Sequence, residues 1–107
     1  MSLHWPSKDK DEVLDYSLDW TRALENEETI SAVVWAIVDA TGAKVAFNAG
    51  ATVDGLTNTT QTNTSTIATI YLSAGTNNKQ YKLYCSITTT QGLTKERTVS
   101  IKIREYN

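Results

Sequence analysis

Apolar and polar residues alternate with a period of two over most of the chain, and that spacing predicts strands. From Val13 to Trp20, Leu14, Tyr16, Leu18 and Trp20 fall on one side, with Asp15, Ser17 and Asp19 on the other. A helix over the same residues would bury charge or expose Tyr16 and Trp20, so the strand is favoured. Ile30 to Val38 is a nearly continuous β-branched run, expected as a central strand buried over most of its length with Trp35 in the core. A short strand over Ala43 to Phe47 is predicted between the turns Asp39-Ala40-Thr41-Gly42 and Asn48-Ala49-Gly50. Ala51 to Thr57 carries a weaker strand signal, interrupted by Asp54-Gly55. Further strands follow at Ala68, Ile70 and Leu72, and at Tyr81, Leu83, Cys85 and Ile87. The last holds Val99, Ile101 and Ile103.

Two segments break the alternation. Thr21 to Thr29, with Glu25, Glu27 and Glu28, reads as a short helical turn or an acidic loop with its glutamates in solvent. Asn58 to Ser65 is a Thr/Asn/Gln tract with little apolar surface, expected as a long exposed loop.

Parity fixes the last hairpin. A three-residue Thr90-Gln91-Gly92 loop with Gly92 left-handed pairs Thr89 with Leu93, Leu83 with Val99 and Tyr81 with Ile101, which puts the apolar residues of both strands on one face. A two-residue Gln91-Gly92 loop would set Leu83 opposite Ser100. About seven short strands separated by turns, without a long helical pattern, predict an all-β fold, an immunoglobulin-like β-sandwich with a short helical turn near residues 21–28. Trp35 would be its buried central tryptophan and Tyr81 its tyrosine corner. A small barrel or another sandwich topology is the alternative. The expected organisation is a flexible lead-in arm over residues 1–10 and an immunoglobulin-like sandwich domain over 11–107.

The 107 residues carry a formal net charge of -2 with scattered Lys and Arg, which disfavours nucleic acid as a partner. No apolar run is long enough to span a bilayer, and Met1 to Pro6 lacks a basic region followed by an apolar one, so neither membrane insertion nor secretion is expected. The single cysteine, Cys85, cannot form an internal bridge and is expected as an inert buried thiol.

Little in the chain points to chemistry. The one histidine, His4, has no nucleophile or acid fixed near it, and Gly75 and Gly92 are isolated turn residues rather than a phosphate loop. The acidic residues Asp9, Asp11, Glu12, Asp15 and Asp19 do not match a calcium loop and read as a solvated surface. No enzyme activity, cofactor or metal is expected. Candidate partner-binding residues are Trp5 and Pro6, an aromatic on a stiff segment, and Asn58, Thr59 and Asn63 of the polar tract. Trp5 either docks onto a partner or folds back onto the sandwich edge.

Trp5-Pro6, Lys8 to Trp20 and Glu28-Thr29-Ile30 resemble the opening of a group of small proteins encoded by tailed phages and prophages. The similarity resumes at Ile70 to Thr76, Tyr81, Thr88 to Gly92 and Glu96-Arg97, where the chain also resembles bacterial immunoglobulin-like domains. One departure is Lys10, where that group is expected to carry proline. The resemblance implies a non-enzymatic structural or accessory protein of a phage or prophage particle. It would touch capsid or tail proteins or itself, in the virion and in the host cytoplasm during assembly. The alternative is a carbohydrate-binding or adhesion module with weak glycan binding, which an exposed aromatic platform near residues 58–65 would favour.

Overall fold

The computed structural model describes residues 2–5, 8–9, 11–24 and 27–104. In chain order they form β1 (Ser2–His4), β2 (Leu14–Asp19), a 3-10 turn (Thr21–Ala23), β3 (Ile30–Val38), β4 (Lys44–Ala46), β5 (Thr52–Val53), β6 (Leu56–Asn63), β7 (Ile67–Ala74), β8 (Gln80–Thr89) and β9 (Thr94–Lys102). The strands make two sheets, ordered β1-β9-β8-β3-β4 and β2-β7-β6-β5. All pairings between the named strands are antiparallel except β1 with β9, which is parallel and is followed by a parallel bridge of Lys8 with Ile103. The chain is therefore the expected all-β sandwich, with strands added in the lead-in and the polar tract and the short helical turn at Thr21–Ala23.

Inner positions of both sheets supply one core. Leu18, Trp20, Ile70 and Leu72 come from the four-stranded sheet, and Trp35, Ile37, Leu83, Cys85, Val99 and Ile101 from the five-stranded one; all are buried. The parity argument for the last hairpin holds throughout. Leu83 pairs with Val99 and Tyr81 with Ile101, the Thr89 amide donates to Leu93 O at 2.8 Å, and Gly92 has φ +80°. That left-handed conformation is one a side chain would strain. Tyr81 donates from its hydroxyl to Asp54 O at 2.6 Å and accepts the Thr76 amide at 2.9 Å. One side chain thus ties the β7–β8 connection to the β5–β6 turn.

Three expectations are corrected. The polar tract is not a loop, because Leu56 to Asn63 pairs with β7 over its length. Threonine is β-branched and suits a strand whose outer face meets water, so the tract needs few apolar residues. Asp54 and Gly55, both with positive φ, form the two-residue turn that starts it, with Val53 opposite Leu56. A register shift between Asn58 and Thr60 then changes which residues face inward. Asn58 fills a core position with no exposed surface, its amide donating to Phe47 O at 2.8 Å and Gln61 Oε1 at 3.0 Å.

The second correction concerns β3, which alternates rather than being buried over most of its length. Trp35 and Ile37 face the core while Val34 is 55% exposed, because the outer face of its sheet is uncovered. The third concerns Glu28, which is buried rather than solvated and pairs with Lys95 at 3.6 Å. A carboxylate needs such a partner to leave water.

Cys85 lies fully buried between the sheets, and burial pushes its thiol up to about 12 from an ordinary 9.0. A thiol reagent should label it only as fast as the protein opens. Its raised pKa means that the folded state keeps a proton the unfolded chain loses. The stability it contributes is therefore full below pH 9.0 and lost as pH rises toward about 12. Urea titrations at pH 7.5 and 10 should show a larger loss in the wild type than in Cys85→Ala. Fast native labelling, or equal losses, would contradict this placement.

Candidate interaction surfaces

The lead-in lies along the flank where β9 and β2 form the neighbouring edges of the two sheets. Ser2 to His4 run beside Thr98 to Ser100, and the Trp5 amide donates to Ser100 O at 2.9 Å. The Trp5 ring is half-buried, stacked on Tyr16 at 4.8 Å and 6.0 Å from Trp35. Of the two readings of Trp5, this geometry is the folded-back one. Lys8 continues the attachment: its amide donates to Lys102 O, and its buried ammonium donates to Asp9 O at 2.7 Å and Ala74 O at 2.8 Å. Burial lowers the Lys8 pKa, against the attraction of Glu12, Asp9 and Asp11. Pro6 lies outside the described residues.

The polar-tract residues sit elsewhere, on β6, beyond β7 from this flank. Asn58 is occupied within the core, whereas Thr59 and Asn63 are exposed. Thr59 belongs to an outer face built of hydroxyls. Its hydroxyl donates to Ser73 Oγ at 3.0 Å, Ser17 and Thr69 are 2.8 Å apart, and Thr52 and Thr57 2.7 Å. Half-buried Tyr71 lies among them, paired with Thr60 on one side and Asp15 on the other.

The outer face of the five-stranded sheet differs in chemistry. Val34 and Ala36 flank Tyr84, whose ring has the Lys44 ammonium at 4.3 Å and that of Lys82 at 5.5 Å. Lys44 also pairs with Glu96 at 2.7 Å, and Ser86 donates to the same carboxylate at 2.9 Å. Those two hydrogen bonds, Lys44 foremost, lower the Glu96 pKa.

A third feature escaped the sequence reading. The alternation that places Val99 and Ile101 inward also turns Arg97 and Lys95 inward, at the end of β9 beyond β1. Lys95 donates to Ala23 O besides pairing with Glu28. Arg97 lies 4.5 Å from the Trp20 ring and donates to Asp19 O at 3.1 Å. Arg97, Arg22, Thr21 and Asp19 line a surface depression of about 420 Å³. The Asp19 carboxylate accepts the Thr21 hydroxyl at 2.6 Å and amide at 2.9 Å, and these bonds, the hydroxyl first, lower its pKa. Among the described residues, no group of three or more His, Cys, Asp or Glu is placed to hold a metal ion. No described helix is long and apolar enough to cross a membrane.

A family model described as "Podophage GP4 fiber-tail adaptor protein gp77" matches residues 8–102, a span that takes in β2 to β9. No curated protein matches the chain.

Because Trp5 packs on Tyr16, Trp5→Ala should lower unfolding stability by about 1–3 kcal/mol, a partial version of the cost of truncating a buried aromatic. A urea midpoint equal to that of the wild type would show that the ring contributes nothing to the fold.

Proposed function

The chain belongs to the podophage fiber-tail adaptor family gp77, and on that premise we propose that it is a non-enzymatic structural part of the phage particle that joins fibre to tail by protein-protein contact. The observation that carries this reading is the family match across both sheets. A bridge needs two separate surfaces, and a sandwich offers two opposite outer faces. Here one is a hydroxyl-rich face around Tyr71 with the exposed Asp15 beside it, and the other a small-apolar and cationic face around Tyr84. Unlike faces favour unlike partners, since each rejects the other's complement. The strand order, the buried Trp35 and the Tyr81 bonds also support reading the sandwich as immunoglobulin-like. Under this reading the partners are tail and fibre proteins, met in the host cytoplasm during assembly and kept in the virion.

A glycan-binding role is the second reading, favoured by one observation: Tyr71 is a partly exposed aromatic beside Thr60 on the polar strand. Its signature would be loss of glycan binding in Tyr71→Ala with particle assembly intact.

The adaptor reading predicts that the wild-type chain binds the purified tail and fibre proteins separately and bridges them when mixed. Val34→Lys and Thr60→Lys, one on each outer face, should each lose about tenfold or more in affinity for a different one of the two. A chain that binds neither protein, or variants that lose nothing, would refute it.

A further inference from the structure

Among the described residues, the edge formed by β9 is only partly covered. β1 pairs with it from Thr98 to Ser100, and no described residue pairs with Thr94 to Arg97 on that side. The ladder with β8 fixes what those residues present. The Thr89 amide bonds to Leu93 O, so Thr88 and Thr94, and likewise Ser86 and Glu96, are non-hydrogen-bonded pairs. The backbone N–H and C=O groups of Thr94 and Glu96 therefore point away from β8, toward the uncovered side. This stretch is about 13 Å long at roughly 3.3 Å per residue. It carries neither proline nor a register shift, two common devices for blunting an edge.

A charged depression adjoins the same strand. Arg97 uses one N–H on Asp19 O while its guanidinium stacks on Trp20, and a guanidinium has five N–H donors. Arg22 is exposed at the rim. The Asp19 carboxylate is engaged by Thr21, and among the described lining residues two arginines stand against this one carboxylate.

We propose that this edge takes up an extended segment of a partner protein by strand addition, and that Arg22 and Arg97 receive a carboxylate side chain of that segment. Backbone bonds supply the pairing, and the guanidiniums select the sequence. Inward charge at the end of an edge strand also discourages indiscriminate pairing. An apolar segment would leave the depression unmatched, whereas an acidic one satisfies it. This inference rests on the adaptor reading for the identity of the partner, the tail or the fibre protein.

The test uses the full chain with both purified proteins. Thr94→Pro removes an outward N–H and no ladder bond, and Arg22→Gln removes an exposed charge. Each should weaken binding to the same single partner by about tenfold or more and leave the other partner within about threefold. In the wild-type complex, hydrogen exchange at the Thr94 and Glu96 amides should slow by at least about tenfold. The exchange measurement and Arg22→Gln still decide the matter if Thr94→Pro fails to fold. Variants that bind both proteins like the wild type, or edge amides that exchange unchanged in the complex, overturn the inference and leave the adaptor reading standing. Protection of those amides in concentrated chain alone would assign the edge to a second copy and overturn it as well. A wild type that captures neither protein overturns both.

Discussion

Packing between the two sheets, with Trp35 enclosed at its centre, is the constraint to which the other features answer. Each sheet has one face that must leave water, so every strand register is held by which residues alternate inward. The β8–β9 hairpin shows how strictly: its loop length decides whether Tyr81, Leu83 and Cys85 share a face with Val99 and Ile101, and only the three-residue loop allows it. The four-stranded sheet obeys the same rule through Leu18, Trp20, Ile70 and Leu72.

The flank where β9 and β2 lie is where this packing needs help. Two sheets laid face to face leave their seam open at the edges. Trp5 closes it at one end by stacking on Tyr16, and Arg97 closes it at the other by covering Trp20. The first closure uses an aromatic from the lead-in. The second uses a cation that remains in contact with solvent, and it gives the flank a charged depression at that end. Outer faces are under no such demand, so one accumulates hydroxyls and the other a lysine-flanked tyrosine without cost to the core. That freedom lets a small sandwich present unlike surfaces in opposite directions, which is what the proposed bridging role would use.

What could be read from the sequence follows from the same physics. Strands with apolar residues on one side were legible, including the last hairpin to the residue and the burial of Tyr81. β6 was not, because its inward positions after Leu56 are amides: Asn58 and Gln61 bond inside the sandwich, and a bulge resets the alternation between them. The Asp54-Gly55 pair was visible but read as an interruption when it is the hairpin turn itself. Glu28 was misread because its partner, Lys95, is far away in sequence and joined to it only by the fold. Of the candidate partner-binding residues, Trp5 was singled out as a large aromatic, but the sequence could not decide that its ring packs at home. The Arg22–Arg97 depression was overlooked because its strand was followed only through its apolar residues.

The most direct test of the interlayer account is the urea unfolding midpoint of Trp35→Ala. A side chain with no exposed surface, in the core that the described residues form, predicts a loss of about 3–5 kcal/mol, a large share of the stability of a domain this size. A midpoint and slope equal to those of the wild type would contradict it, since the two sheets would then be held together by something other than the packing around that ring.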